Sequence, residues 1–400
     1  MAIKLSRRSM LGALAGASAS VLLPGGTTVA ASQAPGPLRL TLPRPTGPFR
    51  NGTTTLHLID PARRDPWVPS HPVRELMVNL WYPARETDGH PVMPWLEPLA
   101  WQQFQADNGI AEGLLAVPPT HGHLDAPVDR SGGPRPVLLF SPGSGGNRNG
   151  NTYQVEELTS YGYVVVTIDH THDSSQVQFP DGRLEVRTIP PDTLEINTEA
   201  TRVRAADTRF VLDALCALNS GHNPDVERRR LPEALVGSLD LARVAMFGHS
   251  MGGATAAWAM LDDRRVRAGI NLDGAFYGPA VSAGLDRPFM LMSSEEHDRD
   301  NDSTWAEFWS HLRDWRLNLK LRQSGHNSYN DVQALLPQAA STIGYPPDLV
   351  VQLIGTIDPA RTIATVRAYL RAFFDLHLRR RDEHLLDGPS PRFPDIEFLP

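Results

Sequence analysis

The stretch Val244-Ala245-Met246-Phe247-Gly248-His249-Ser250-Met251-Gly252-Gly253-Ala254 constrains this chain more than any other. Four apolar residues read as a buried strand. They run into Gly-x-Ser-x-Gly, and then into the small-residue pattern Ala254-Thr255-Ala256-Ala257-Trp258-Ala259-Met260, which reads as a helix. Strand, sharp turn and helix in this order are the setting of a nucleophile elbow. Such a turn strains the serine backbone and aims its Oγ outward at the carboxyl edge of a sheet. Gly248 and Gly252 keep Cβ atoms out of the crowded corner. A chance Gly-x-Ser-x-Gly in a loop would lack the two flanks, and here both are present. Ser250 is therefore the candidate nucleophile.

The rest of the chain supplies a sheet to carry that elbow. Residues 53–60 and 74–82 read as strands, with too little chain between them for a crossover helix, so an antiparallel start is expected. Residues 92–135 hold Trp95, Trp101, Phe104 and many prolines. They read as an irregular insertion with one helix near Trp101, serving either as a wall or lid over a site or as a surface excursion. Further strands are expected at 136–140, 163–169, 267–273, 288–293 and 317–321, with helices at 153–161 and 198–219 and two more after residue 327. Ile363, Val366, Leu370, Phe373 and Phe374 mark the apolar face of the last. This alternation predicts an α/β fold: a mostly parallel central sheet, antiparallel N-terminal strands and helices on both faces. Ligands of such sheets sit beyond the carboxyl ends of the strands. Ser250, Asp273 and His326 all fall just past strand ends and should meet on one rim.

The ends of the chain differ from this body. Lys4, Arg7 and Arg8 precede a modest apolar stretch, and Ser6-Arg7-Arg8-Ser9-Met10-Leu11 resembles a twin-arginine export signal. Residues 1–34 are read as that segment, since the apolar run is too short to span a bilayer. No other stretch could cross a membrane, so stable insertion is not expected. The catalytic body is placed at 35–382, and 383–400 read as a polar, Pro-rich tail. A net charge of −7 without a basic stripe argues against a nucleic-acid partner. The one cysteine, Cys216, excludes an internal disulfide and sits in a helical pattern that reads as a buried, inert thiol.

A serine hydroxyl needs a base within hydrogen-bond reach. In a fold of this kind the base follows the last strand and an acid precedes it in the chain. His326, in Ser324-Gly325-His326-Asn327, holds that position. His249 lies inside the elbow, with its ring expected along the turn and not at Ser250. His170 and His172, with Asp169 and Asp173, have only weak metal-ligand spacing and read better as a solvated loop past a strand end. For the acid, Asp273 ends the strand beside the elbow strand, while Glu295, Glu296 and Asp298 follow the next one. Asp273 is preferred, because the later three read as a solvated charged loop. An oxyanion needs two backbone donors, expected from Met251 and, in the glycine loop at 141–147, from Ser144. That loop lacks both Gly-Lys-Ser/Thr and dinucleotide spacing, so no cofactor or metal is expected.

Together these residues resemble the bacterial members of the platelet-activating-factor acetylhydrolase family, of the α/β-hydrolase fold. The resemblance rests on Pro45-Thr46-Gly47-Pro48, on 53–58 and 75–83, on Phe140-Ser141-Pro142-Gly143-Ser144-Gly145, on Gly248-His249-Ser250-Met251-Gly252-Gly253, on Leu272-Asp273 and on His326. It covers nearly the whole chain after residue 35. It implies Asp273 as the acid, and Ser144 and Met251 as the oxyanion donors. This chain departs from the family in having Pro142-Gly143 where His-Gly is usual, and Met251 where Phe is common. Gly-His-Ser-Met-Gly-Gly is also typical of extracellular polyester-cleaving lipases. The expected activity is a secreted serine esterase acting on ester or lipid substrates, with short-acyl lipids such as acetyl phospholipids first. A broader lipase or polyester hydrolase is the alternative, and a catalytically inactive binding protein on this fold is the third reading.

Overall fold

The computed structural model describes residues 36–400. The export segment expected at 1–34 lies outside the described residues. Beyond the short β1 (Leu38–Arg39), two eleven-residue strands, β2 (Arg50–Asp60) and β3 (Arg74–Ala84), pair antiparallel along their full length, from Arg50 opposite Ala84 to Asp60 opposite Arg74. The connection between them, residues 61–73, holds no helix.

Residues 92–135 are more ordered than expected. They form β4 (Val92–Pro94), α1 (Pro98–Asp107), β5 (Leu115–Ala116) and β6 (Pro119–Leu124). β6 pairs with the free edge of β2, and β4 pairs with β6, so part of the insertion extends the sheet. The strands are short and Pro-flanked, which hid them in the sequence; the unpaired backbone of β2 is what orders them.

The chain then alternates. β7 (Arg135–Ser141), α2 (Thr152–Ser160) and β8 (Val164–Asp169) are followed by the hairpin β9 (Gln176–Gln178) and β10 (Leu184–Val186), and by the long α3 (Leu194–Asn219). Next come β11 (Leu239–His249), α4 (Met251–Asp262), β12 (Val266–Leu272), the short α5 (Ala280–Ala283), β13 (Phe289–Ser293), α6 (Ser303–Ser310) and β14 (Arg316–Leu321). Three helices close the body: α7 (Val332–Ala339), α8 (Pro347–Ile354) and α9 (Pro359–Arg379). The sequence predicts two; Gly344, Pro346 and Pro347 split the first into α7 and α8. Residues 383–400 are not a free tail. Ile396–Leu399 forms β15, antiparallel to β14, with Ile396 buried.

The sheet has eleven strands in the order β15-β14-β13-β12-β11-β7-β8-β3-β2-β6-β4. The six from β14 to β8 are parallel. Successive strand residues face opposite cores, as the pleat demands. Val137, Leu139, Val244 and Met246 pack with α3, α4 and α6 on one face. Leu138, Phe140, Ala245 and Phe247 pack with α2 and α9 on the other, where Val366, Leu370, Phe373 and Phe374 form the expected apolar face. From β7 the chain moves outward to β8 and later returns to β11 on β7's other side. That reversal opens a crevice at the carboxyl ends of β7 and β11, where such sheets bind ligands. Cys216 is half-buried, with Arg265 Nη1 donating to its sulfur at 3.7 Å. Among the described residues no helix is long and apolar enough to cross a membrane.

Candidate active site

β11 delivers Ser250 into the crevice on a strained turn. Its backbone is at φ 54°, ψ −127°, a left-handed region that a residue with a side chain rarely occupies. Neighbouring backbone holds it there: Ser250 N–H donates to Leu272 O, and Gly253 N–H to Ser250 O, each at 2.8 Å. The glycines are required by contact. A Cβ on Gly252 would stand 1.9 Å from Ser141 O, and one on Gly248 would stand 2.2 Å from the Gly252 carbonyl. α4 thus starts pressed against β7, and Met251 is its first residue. The first N–H groups of a helix lack partners inside it, so the Met251 amide has no partner within α4.

Asp273 follows β12 and also has a positive φ, 60°. Its N–H donates to Met292 O at 2.8 Å. Its buried carboxylate accepts from the Ser294 N–H at 2.7 Å and Oγ at 2.9 Å, from His326 Nδ1 at 2.6 Å and from His297 Nδ1 at 3.0 Å. Burial alone would raise its pKa, but the hydrogen bonds from His297 and His326 outweigh it and hold the carboxyl well below the usual range. His297 is in turn fixed by Asp302, 2.9 Å from its Nε2. Burial opposes its charge, yet its bonds to Asp273 and Asp302 prevail and raise its pKa to about 9.

His326 opens a 3-10 turn, His326–Tyr329, just after β14. With Nδ1 committed to Asp273, its Nε2 is the nitrogen available to a reacting group. The His249 ring lies 4.6 Å from that of His326, and its Nε2 donates to the His326 carbonyl at 3.0 Å. Burial, and then the charge of His326, lower the pKa of His249 to about 3. It is therefore a neutral prop for the turn and not a competing base. Ser250 and His326 line one cavity of about 330 Å³. No hydrogen bond joins Ser250 Oγ to His326 among the described residues, while His326 Nδ1 is bonded to Asp273. Such contacts commonly tighten only when substrate binds.

The cavity is bounded by Ser144 and its neighbours in the glycine loop, by Ser175 and Gln176 before and at the start of β9, and by Trp95 and Phe104 of the insertion. The insertion therefore walls the site. Arg204 on α3 braces the glycine loop from below, donating to the carbonyls of Pro142 and Gly143 while paired with Asp173 at 2.6 Å. Ser141 Oγ meets His170 Nε2 at 2.9 Å, and His170 Nδ1 donates to Asp207 at the same distance. Burial pushes His170 down to about 4, so it stays neutral and accepts a hydrogen bond from the Ser141 hydroxyl.

The structure thus brings together Ser250, Asp273, His326 and Ser144, with Met251 directly after the nucleophile. It separates the other acids: Glu295 and Glu296 are exposed, Glu295 accepts from the Gln323 amide, and Asp298 pairs with Lys320 at 2.7 Å. Asp169, His170, His172 and Asp173 are neither a metal cluster nor a solvated loop. All four are buried, and they pair with Arg148, Arg204, Asp207 and Asp65, which arrive from distant segments. His172 does approach His71 and Glu185. The Glu185 carboxylate, however, is already shared by His172 at 3.1 Å and the Arg183 guanidinium at 3.1 Å. Sequence reasoning missed His297 and Arg204. The first was one residue in a charged run, and the second had no local signal.

The family model described as platelet-activating factor acetylhydrolase, isoform II, matches residues 40–385. A protein of Arthroderma benhamiae named probable 1-alkyl-2-acetylglycerophosphocholine esterase is 31% identical over 392 residues, covering 91% of this chain and 95% of its own. The platelet-activating factor acetylhydrolase of Cavia porcellus is 24% identical over 326 residues, covering 73% of this chain and 69% of its own. Among solved structures, a ferulic acid esterase from Streptomyces cinnamoneus superposes with a TM-score of 0.78 at 35% identity, over 90% of this chain and 99% of that one. With the elbow, the mostly parallel sheet and this match over most of its length, the chain belongs to the platelet-activating factor acetylhydrolase, isoform II, family and is a carboxylic-ester hydrolase of the α/β-hydrolase fold.

Proposed function

We propose that the protein is an exported serine esterase that cleaves short-acyl esters, including acetyl esters of phospholipids, through an acyl-enzyme. Ser250 Oγ attacks the ester carbonyl and passes its proton to His326 Nε2. The tetrahedral oxyanion rests on the Met251 and Ser144 amides, each donor lowering the barrier by about 3 kcal/mol. The bond to the alcohol oxygen breaks, and the alcohol leaves with the proton from His326. Water, deprotonated by the same nitrogen, then releases the carboxylic acid and restores Ser250. Asp273 fixes the His326 tautomer and offsets its charge without taking the proton.

The observation that carries this reading is the 2.6 Å bond between Asp273 and His326, on the rim where Ser250 sits in its strained turn. A fluorophosphonate probe should label the wild-type protein and not Ser250→Ala. Turnover of esters from acetyl to palmitoyl should fall with acyl length, and a strong preference for long acyl chains would remove the short-acyl assignment. A broader specificity is the second reading, favoured by the likeness to a protein named ferulic acid esterase. Export rests on Arg7 and Arg8. A reporter fused behind residues 1–34 should leave the cytoplasm, and should stay there when both arginines become lysine.

A further inference from the structure

Asp273 serves two imidazoles, and the reaction proposed above uses only one of them. His326 Nδ1 donates to its Oδ2 at 2.6 Å, and His297 Nδ1 donates to its Oδ1 at 3.0 Å. His297 lies in the loop between β13 and α6. Its other nitrogen, Nε2, is 2.9 Å from Oδ2 of Asp302, the N-cap of α6. The ring lies against the buried Trp305, 4.5 Å between centroids, and Trp305 Nε1 is itself tied to Gly274 O at 2.6 Å.

This bonding pattern fixes the charge of the ring. A neutral imidazole has one N–H and one lone pair, so between two carboxylates it would turn the lone pair on an acceptor. Both contacts are hydrogen bonds only if both nitrogens carry protons. The pKa of about 9 agrees: burial opposes the charge, and the bonds to Asp273 and Asp302 outweigh it. No other charged side chain is bonded to this ring among the described residues. In the same loop Asp298 turns to Lys320, Arg299 to Asn318 and Glu295 to the Gln323 amide, while Glu296 and Asp300 are exposed. Two phenols stand behind the carboxylates, Tyr277 toward Asp302 and Tyr329 toward Asp273, and burial raises the pKa of both, so both stay neutral.

The charge reaches the reacting histidine through the shared carboxylate. His326 becomes a cation when it takes the proton of Ser250, and the charges around it decide how readily it holds one. With His297 protonated, the chain of Asp302, His297 and Asp273 carries a single negative charge; with His297 neutral it would carry two. The added negative charge would hold a proton on His326 at mildly acid pH, and a protonated His326 cannot act as the base. His297 also occupies one oxygen of Asp273 and leaves the other to His326, which sets the orientation of the carboxylate.

We propose that His297 is a positioning residue of this esterase: an imidazolium held between Asp302 and Asp273, it aims the Asp273 carboxylate at His326 and keeps His326 free to accept the serine proton toward acid pH. The assignment rests on Ser250, Asp273 and His326 acting as proposed above.

The test is the pH profile of kcat/KM for phenyl acetate in the wild type, His297→Asn and Asp302→Asn. Asn at 297 keeps a neutral donor within reach of Asp273, and Asn at 302 remains a good cap for α6. His297→Asn should move the acid limb up by about one pH unit, a roughly tenfold loss of kcat/KM well below that limb, with a much smaller change on the plateau. Asp302→Asn removes a negative charge from the same chain, so its acid limb should stay in place or move down. In NMR spectra the imidazole signal of His297, identified by its loss in His297→Asn, should titrate near pH 9. An acid limb that His297→Asn leaves unmoved, limbs raised alike in both variants, or a His297 signal that titrates at or below neutral pH overturns the proposal and leaves the esterase intact. Should His297→Asn not fold, the direction of the Asp302→Asn limb decides alone, and a raised limb overturns the proposal. A wild type that neither turns over phenyl acetate nor takes a fluorophosphonate label overturns the Ser250 reading and the role of His297 with it.

Discussion

Asp273 is the residue on which the site's electrostatics turn. Four donors converge on its two oxygens, and two of them are imidazoles. Asp273→Asn replaces one acceptor oxygen with a donor, so the His326 ring loses its orienting partner. Turnover of an acetyl ester should fall by about 10⁴-fold, as in other triads. Glu295→Gln, Glu296→Gln and Asp298→Asn should stay near the wild-type rate, and the opposite pattern would move the acid off Asp273. His297 carries a separate, pH-dependent consequence. Its folded pKa, about 9, lies above its ordinary 6.5. Its contribution to stability is therefore complete below about pH 6.5 and is lost as the pH rises through about 9. Asp273, held low, contributes in the opposite sense, with a loss only in strong acid. The thermal midpoint of the wild type should thus decline from neutral pH to pH 9 more steeply than that of His297→Gln. Parallel curves for the two proteins would show that the Asp273–His297–Asp302 chain does not hold the charge assigned to it.

At the scale of elements, the edges of the sheet behave differently from its centre. β7, β8 and β11 to β13 are legible because strands covered on both faces must be apolar throughout. β4, β6 and β15 are not, since short edge strands are ordered by an available partner more than by their own composition. β15 shows this most clearly. Ile396–Leu399 is a fragment of a polar, Pro-rich end, yet it pairs with β14 while Arg361 grips Asp395 at 2.6 and 2.7 Å. Deleting residues 394–400 would bare the β14 edge and expose the site of Ile396, whose burial alone is worth about 1.5–3 kcal/mol. The shortened protein should melt several degrees lower and self-associate through the free edge. Calorimetry with size-exclusion chromatography reads both effects, and an unchanged melting point in a monodisperse protein would make β15 dispensable.

Across the whole molecule, the catalytic rim gathers loops that follow β7, β11, β12 and β14, from Ser144 to His326. The sequence alone determined the elbow, because Gly-x-Ser-x-Gly between a four-residue apolar run and a small-residue helix admits few other foldings. It also determined that Ser250, Asp273 and His326 each follow a strand, because parallel strands announce themselves by continuous apolarity. Asp273 is preferred over the later acids because those read as a solvated charged loop, and the family resemblance strengthens that choice. In the fold, Asp273 is the acid that reaches His326. Only the tertiary structure decided what braces these groups. Arg204 under the glycine loop, His297 against Asp273, and Trp95 against Asp331 each act on partners dozens to hundreds of residues away. Hydrophobic periodicity reports which face of an element is buried; it carries no record of which distant charge or ring will meet that face.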